Sequence, residues 1–433
     1  MKYPAFSLSL AFSALTAGLF SCSPQVHPSP QDSKEAFVDS ILSTMSIEDK
    51  AGEMTQLTLD MVCVGAPYAL EEPHRLDTSK LQNVLVDLKV GSILNCGGHA
   101  YGPEQWHELI GGIQEAAARK ETGIPVLYGI DAIHGATYTS GSVLGPQQIG
   151  LAATWDTALV RKFAENAAME VTASGIPWNF SPVLDVARDA RWPRFWETFG
   201  EAPKLVSDMG VAMVKGYQEG PSPIAATLKH YVGYSRPLTG KDRTPAWIPE
   251  RQLRQIFLPP FAAAIDAGAA SIMVNSGEIN GIPVHVDHHI LTDILREDLE
   301  FDGMVVTDWE DIKYLFSRHK VASDYKDAIA MAINAGIDMS MVPTDTEFPV
   351  LLAELVRDGR IPMARMDESV RRILNMKYDL GLFQTGGFPP SLADYPKKES
   401  IEGGAIKAAL ESITLLKNEG QHAAIAGAPI LPL

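Results

Sequence analysis

Short apolar segments with the character of buried strands alternate with longer segments of helical periodicity from about residue 34 onward. A continuous apolar run bounded by turn residues is typical of a strand that is buried on both faces. The strand candidates are VGSILN (90–95), IPVLYGID (124–131), IPWNFSPVLDV (176–186), IAATLKHYVG (224–233), AASIMVNSGEING (269–281), DGMVVTDW (302–309) and IDMSMVP (337–343). This order of strands and helices predicts an α/β protein with a parallel sheet.

Two architectures satisfy such an alternation, an open doubly wound sheet and a closed barrel of parallel strands. An open sheet that binds a nucleotide usually carries a glycine-rich phosphate loop after a strand. The chain has no GxGxxG after its first strand candidate and no GxxxxGK[ST] segment. At least seven strand candidates also favour the barrel. We therefore predict a (β/α)8-like TIM barrel.

Composition limits the class of partner. The chain of 433 residues has 46% hydrophobic residues, enough to bury one large core or two ordinary ones. The formal net charge of −17 would on the whole repel nucleic acid or an anionic membrane surface, so neither is an expected partner. Cys63 and Cys96 are interpreted as free buried thiols, although an exported protein could pair them.

The N-terminus has the pattern of an export signal. Lys2 precedes an apolar stretch, residues 5–20, that is short for a permanent membrane span. The segment LFSC resembles a bacterial lipoprotein box, which predicts removal of residues 1–21 and lipidation of Cys22; ordinary cleavage nearby is the alternative. A flexible tether rich in Pro and Ser is predicted over 22–33, and the barrel over 34–385.

Polar and aromatic side chains stand where the strand candidates end. These residues are Asp131, Lys229, His230, Glu278, Asp308 and Trp309. Barrel active sites are assembled at the carboxyl ends of several strands, because the βα loops converge there. Their shared position predicts one functional site at this end of the barrel.

Five of these residues also have a purely structural alternative. Asp131 could cap the following helix, and Glu278 could simply be solvated. Lys229 and His230 could form a surface salt bridge. Trp309 could pack on the rim of the barrel, or it could stack on the apolar face of a sugar ring.

Four ordered motifs resemble glycoside hydrolase family three, in particular its bacterial exported β-glucosidases. They are YGIDAIHGATY, NFSPVLDVARDARWPRFWETFGE, LKHYVGYS and GMVVTDWEDI, within a similarity that runs from about residue 34 to 385. The resemblance implies a (β/α)8-like barrel followed by a second α/β sandwich domain. It also implies that Asp308 is the nucleophile of a retaining glycosidase, which attacks the anomeric carbon.

The same resemblance implies a set of sugar-binding residues. They are Asp131, Arg191, Lys229, His230 and Trp309. Carboxylate and cationic side chains bind sugar hydroxyls, and the positive charges can help to keep Asp308 ionised. Two departures from the family stand out: Asn275–Ser276–Gly277 replaces a common aromatic position, and RWPR replaces the commoner RWGR.

Residues 386–433 are predicted to be a linker and the start of a second α/β domain. In two-domain members the acid/base glutamate usually comes from that domain, so the expected proton donor is not identified in this chain. Either the sequence is a fragment or the acid comes from elsewhere. Glu278 is the nearby strand-end candidate for a proton donor.

The resemblance implies a retaining, exo-acting β-glucosidase that acts on oligosaccharides from β-glucans, and the N-terminal pattern predicts that it is exported, lipid-anchored and periplasmic. A non-catalytic sugar-binding lipoprotein or an inactive fragment is the alternative. Hexosaminidase activity is a minor alternative because the loop after LKHY lacks a PGHG segment, and β-xylosidase activity is another. No metal or other cofactor is expected, since HExxH and paired-Cys spacings are absent. Linkage preference and oligomeric state stay open.

Overall fold

Eight parallel strands form a nearly closed barrel in the computed structural model, which describes residues 30–418. The barrel strands are β1 Thr55–Thr58, β2 Ser92–Leu94, β3 Leu127–Ile130, β4 Trp178–Asn179, β5 Ala225–Tyr231, β6 Ser271–Val274, β7 Met304–Val306 and β8 Ser340–Met341. They are hydrogen-bonded in the order β7-β6-β5-β4-β3-β2-β1-β8. The predicted (β/α)8-like barrel is confirmed.

The strands are paired in parallel, and the two ends of the sheet meet. Gln56 of β1 lies opposite Ser92 of β2, and Val305 of β7 lies opposite Ile272 of β6. A further parallel bridge joins Val306 to Met339, the residue before β8. This bridge brings the last two strands together and closes the barrel around a packed interior.

Helices surround the barrel and connect its strands. Their bounds are α1 Pro30–Thr44, α2 Ile47–Glu53, α3 Thr78–Leu81, α4 Pro103–Ala117, α5 Gln148–Ala153, α6 Thr157–Ala173, α7 Pro203–Glu219, α8 Glu250–Gln252, α9 Leu258–Asp266, α10 Asp311–Ser317, α11 Tyr325–Ala335, α12 Phe348–Arg357, α13 Met363–Asp379, α14 Leu382–Thr385 and α15 Lys398–Glu411. Wider π-helical turns occupy Gln82–Asp87, Leu253–Phe257 and His289–Asp298. Two short hairpins pair Gly65–Ala66 with Ala69–Leu70 and Glu278–Ile279 with Ile282–Pro283. Each crossover thus places helical residues between successive parallel strands.

The ends of the described chain differ in part from the sequence prediction. Helix α1 begins at Pro30, inside the segment 22–33 that was predicted to be a tether. The predicted signal segment 1–21 and Cys22 lie outside the described residues. Helix α15 packs against α6, where Asn166 donates a hydrogen bond to the carbonyl of Ile401. Cys63 and Cys96 are buried and unpaired, as predicted.

Candidate active site

A cavity of about 100 Å³ lies at the carboxyl end of the barrel strands. Residues from the ends of β2, β3, β5, β6, β7 and β8, together with the loop after β4, form its wall. They are Leu94, Asn95, Asp131, Arg194, Lys229, His230, Met273, Asp308, Trp309 and Met341. Most of the predicted site residues therefore lie together, at the end of the barrel where the βα loops converge.

Asp308 is buried at this cavity, two residues after β7 ends. The backbone of Thr307 donates to the carbonyl of Met339, which fixes the chain against β8 just before Asp308. Asp308 Oδ1 accepts a hydrogen bond from the backbone N–H of Trp309 at 2.5 Å. Asp308 Oδ2 has no hydrogen-bond partner among the described residues. One carboxylate oxygen is thus held, and the other is available to an incoming group.

The charge of Asp308 is stabilised by neighbouring cations. Burial alone would raise the pKa of Asp308, but the guanidinium of Arg243 and the further positive charge of Arg194 outweigh it and lower that pKa. Arg243 Nη2 lies 3.3 Å from Asp308 Oδ1. Asp308 is therefore ionised at neutral pH, which is the state that a carboxylate nucleophile needs.

Asp131 and Lys229 form an ion pair on the cavity wall. Lys229 Nζ donates to Asp131 Oδ1 at 2.6 Å, and Lys229 is buried while the side chain of Asp131 is 31% exposed. Because the lysine satisfies only one carboxylate oxygen, Asp131 keeps acceptor capacity toward the cavity. Both residues lie where the sequence placed them, at the ends of β3 and β5.

His230 is positioned by a carboxylate that the sequence analysis did not single out. Its Nδ1 lies 2.8 Å from Asp185 Oδ2, and its backbone N–H donates to the same oxygen at 3.1 Å. The other ring nitrogen, Nε2, is 3.8 Å from Asp308 Oδ2. Burial, reinforced by the charge of Arg194, lowers the pKa of His230 well below its ordinary value, so the ring is neutral. Asp185 ends the apolar run SPVLD, and that position was the available sequence signal.

The RWPR segment supplies a cavity arginine, but it is Arg194 and not Arg191. The side chain of Arg191 is 65% exposed and forms an ion pair with Asp189 at 2.6 Å, away from the cavity wall. Arg194 lines the cavity and makes two hydrogen bonds to Glu197, at 2.9 and 2.8 Å. The expected contact of Arg191 with the sugar is not supported by this placement, because its local partner holds it at the surface.

Of the remaining residues considered from the sequence, some line the cavity and others do not. Trp309 lines the cavity beside Asp308. Glu278 does not line it, and its carboxylate lies 2.5 Å from His319 Nδ1. Asn275 is buried and donates to the carbonyl of Val232 at 2.8 Å, so this residue holds the chain after β6 and does not face a sugar.

Arg243 and Asp311 complete the surroundings of Asp308, and the sequence analysis missed both. Arg243 comes from the loop after β5, and its two terminal nitrogens reach two carboxylates: Nη2 contacts Asp308, and Nη1 contacts Asp311 Oδ1 at 3.1 Å. Ser276 donates to the other oxygen of Asp311 at 2.6 Å. The acidic spacing in DWED was the only sequence signal for Asp311.

A larger cavity of about 330 Å³ lies at the opposite end of the barrel, beside the first residues of β5 and β7. Lys34 and Asp379 on its wall are paired with each other at 2.5 Å, and Arg372 is paired with Asp338. Lys34, Asp379 and Arg372 are thus engaged in the scaffold. Within residues 30–418, no cluster of three or more His, Cys, Asp or Glu side chains is arranged to hold a metal ion.

Comparison with known proteins agrees with the barrel fold. The profile of the glycosyl hydrolase family 3 N-terminal domain matches residues 46–376. A lysosomal beta glucosidase of Dictyostelium discoideum is 43% identical over 407 residues, which cover 89% of this chain and 49% of that protein. A periplasmic beta-glucosidase of Salmonella typhimurium is 31% identical, over 90% of this chain and 49% of the relative. The chain thus spans about half the length of the curated relatives that it matches.

A solved structure has the same fold. The beta-glucosidase of Listeria innocua, determined in complex with glucose, superposes with a TM-score of 0.78 and 30% sequence identity. The match covers 90% of this chain and 52% of the other. The barrel, the order of the four motifs and the profile match over residues 46–376 agree, and the chain belongs to glycosyl hydrolase family 3.

Proposed function

We propose that this chain carries the sugar-binding site and the nucleophile of a retaining, exo-acting β-glucosidase. Its substrate would be an oligosaccharide from a β-glucan, from which it removes the terminal non-reducing glucose. The relatives named as beta-glucosidases support the substrate class. The reaction assigns Asp308 as the nucleophile and the other polar residues of the cavity as the groups that bind the sugar.

The observation that carries this proposal is the state of Asp308. It is a buried, ionised carboxylate on a cavity wall, and its Oδ2 has no partner among the described residues. A buried carboxylate oxygen without a hydrogen-bond partner is costly unless it serves a reaction or a ligand. Around it lie groups suited to hydroxyls. Lys229 and Arg194 are donors, and the neutral ring of His230, which donates through Nδ1 to Asp185, can accept through Nε2.

In the proposed reaction, Asp308 Oδ2 attacks the anomeric carbon, and the bond from that carbon to the leaving oxygen breaks. A covalent glycosyl ester of Asp308 forms, and a general acid gives its proton to the leaving oxygen. Water then cleaves the ester and regenerates the Asp308 carboxylate. Asp131 accepts hydrogen bonds from sugar hydroxyls through its free oxygen, and Lys229 holds it in place.

The general acid is proposed to come from a second domain, as the family resemblance implies. Within residues 30–418, the carboxylates on the cavity wall are Asp131 and Asp308. Asp131 accepts a hydrogen bond from Lys229 and is assigned to binding sugar hydroxyls. Glu278 remains a weaker candidate for the acid, because its carboxylate is paired with His319 away from the cavity.

The experiment is to measure intact-protein mass after incubation with a 2-deoxy-2-fluoro-β-glucoside that carries a dinitrophenolate leaving group. This leaving group needs no proton, so the test does not depend on the general acid. We expect one added fluoroglucosyl group, located on Asp308 by peptide mapping. Asp308→Asn should abolish labelling, whereas Asp358→Asn, at an exposed surface ion pair, should be labelled like the wild type.

Two other outcomes would redirect the proposal. A folded wild-type protein that binds glucosides but is never labelled would support the sugar-binding alternative. Faster labelling by the matching 2-fluoro-β-xyloside, which lacks the hydroxymethyl group, would support a β-xylosidase instead.

We also propose that the protein is exported and anchored by lipid at Cys22 on the periplasmic side. The support is the lipoprotein-like LFSC segment and the periplasmic relative from Salmonella typhimurium. Among residues 30–418, no helix combines the length and apolar character that crossing a membrane requires. Labelled palmitate should be incorporated into the wild type and not into Cys22→Ser; incorporation into both would refute anchoring at Cys22.

A further inference from the structure

Arg243 lies between two buried carboxylates at the carboxyl end of the barrel. Its Nη2 is 3.3 Å from Asp308 Oδ1, and its Nη1 is 3.1 Å from Asp311 Oδ1. The same Nη1 is 3.4 Å from the carbonyl of Trp309. The planar guanidinium therefore contacts Asp308 and two residues that follow it, a geometry that an ammonium group cannot reproduce.

The backbone at Arg243 is also unusual. Its φ of 54° lies in the left-handed region, which a non-glycine residue occupies only at a cost. Such conformations tend to occur where a side chain must be presented in one direction. The carbonyl of Arg243 accepts a hydrogen bond from Arg318, which helps to hold the loop in this conformation.

Asp311 anchors the far side of this guanidinium. Its carboxylate accepts from Ser276 Oγ at 2.6 Å and lies 3.6 Å from His285 Nε2. Asp311 is buried and does not line the cavity, so it cannot contact a sugar there. Asp311 contacts Arg243, and Arg243 in turn contacts Asp308.

We propose that Arg243 is a positioning residue that holds Asp308 ionised and aligned for attack, and that Asp311 is the anchor that fixes Arg243. This inference rests on the proposed role of Asp308 as the nucleophile. It assigns Arg243 to the site through contact with a reacting group, whereas Asp311 holds Arg243 from the other side.

The pKa shifts of Asp308 and Asp311 are consistent with these two roles. Burial and the negative charge of Asp308 raise the pKa of Asp311 to about 7, whereas Arg243 lowers the pKa of Asp308 against burial. Of two acids three residues apart, the one on the cavity wall is therefore the stronger. Other titratable or charged groups surround Asp308, Asp311 and Arg243. They are Asp131, Arg194, Lys229, His230, Tyr234, Asp242, His285, Tyr314 and Arg318.

The test is the pH dependence of the rate at which the fluoroglucoside labels Asp308. Labelling requires the ionised carboxylate and no general acid, so its acid limb reports the ionisation of Asp308. Removing the positive charge in Arg243→Met should raise the pKa of Asp308 and move the acid limb to higher pH by about 1 to 3 units. The plateau rate should also fall by about tenfold or more, because the carboxylate loses its alignment.

Two further variants separate charge from shape. Arg243→Lys keeps a cation, so the acid limb should return toward that of the wild type while the plateau rate stays low. Arg254→Met is the matched control, since Arg254 also bridges two carboxylates, Glu250 and Asp298, but lies away from the cavity. It should be labelled with the wild-type pH profile.

The outcomes that overturn the proposal differ from those that overturn the proposed function. If the wild type is labelled at Asp308 but folded Arg243→Met has the same acid limb and plateau, the positioning role is refuted and the nucleophile stands. If Arg243→Met does not fold, labelling of Arg243→Lys at the full wild-type rate would refute the positioning role. Asp311→Asn keeps an oxygen that accepts from Arg243, so this variant should still be labelled. Loss of labelling in the folded variant would show that the negative charge of Asp311, and not only its hydrogen bond to Arg243, is essential.

Discussion

Asp308 is one of three buried acids whose pKa values are shifted in different directions by their surroundings. Cations lower the pKa of Asp308 against burial, whereas burial dominates at Asp185 and Asp311 and raises each pKa to about 7. Pairs of acids whose environments separate their pKa values are typical of sites that need one charged and one neutral carboxyl group. Here the charged one, Asp308, is the one that lines the cavity.

At the residue scale, Arg194 and Arg191 give a direct comparison within one loop. Arg194→Met should weaken binding of the fluoroglucoside and slow labelling by about tenfold or more, because Arg194 lines the cavity and its charge helps to ionise Asp308. Arg191→Met should have a much smaller effect, since Arg191 is exposed and paired with Asp189. Labelling kinetics at several reagent concentrations would separate binding from rate. Equal losses in the two variants would contradict this assignment.

The sequence could predict that polar residues after β3, β5 and β7 converge, because the ends of parallel strands in a barrel lie on one rim. It could not decide between the two arginines of RWPR. That choice depends on tertiary contacts, since Asp189 binds one side chain at the surface and Glu197 holds the other at the cavity. The position of Arg243 also depends on tertiary contacts. Its loop has no strand or helix pattern from which its position beside Asp308 could be predicted.

At the scale of elements, β1 is the strand that the apolar pattern did not reveal. Its sequence is TQLT, and three of its four residues are polar although all are buried. Their side-chain donors find acceptors inside the structure, where Gln56 donates to Ser92 Oγ at 2.9 Å and Thr58 donates to the carbonyl of Pro343. A strand that is buried but polar is invisible to a search for apolar runs. The other seven strands lie inside their predicted segments.

Three elements meet at Asp338, which lies before β8 at the end of the barrel opposite the active site. Its carboxylate accepts from Arg296 of the π-helical segment at 2.8 Å and from Arg365 and Arg372 of α13 at 3.1 Å each. It also accepts from the backbone N–H of Val305 at 3.0 Å. Burial opposes ionisation, but the three arginines lower the pKa of Asp338. The carboxylate thus ties the closing helix to the last two strands.

Asp338→Asn should therefore destabilise the barrel. The change leaves partly buried arginines without their anion, and breaking a buried ion pair in this way costs about 3 to 5 kcal/mol. Urea unfolding followed by circular dichroism would measure the loss. The surface variant Asp358→Asn is the control, because its partner Lys326 is solvated, and its unfolding midpoint should stay close to that of the wild type. Equal midpoints for both variants would show that the cluster does not stabilise the barrel.

At the scale of the whole molecule, buried titratable groups set how stability changes with pH. Glu170, Asp185 and Asp311 have their pKa raised to about 7 by burial, so near pH 6 the folded state holds protons that the unfolded state has lost. Stability therefore falls as pH rises through this range, since the unfolded state binds fewer protons. Burial lowers the pKa of His230 and His285, and this opposite effect acts below about pH 6.5, where the unfolded histidines take up protons.

Above about pH 6.5 the histidines are neutral in both states, so the three acids predict a decline in stability between about pH 6.5 and 8. The buried Lys377, whose pKa is lowered to about 8, adds stability only as pH rises above that value, outside this window. Urea midpoints should therefore be higher at pH 6.5 than at pH 8. Glu170→Gln should flatten the decline, because the amide keeps an acceptor for the backbone of Val143 but does not titrate. Glu219→Gln, at an exposed ion pair, should leave the slope unchanged, and a wild type that is more stable at pH 8 would contradict the argument.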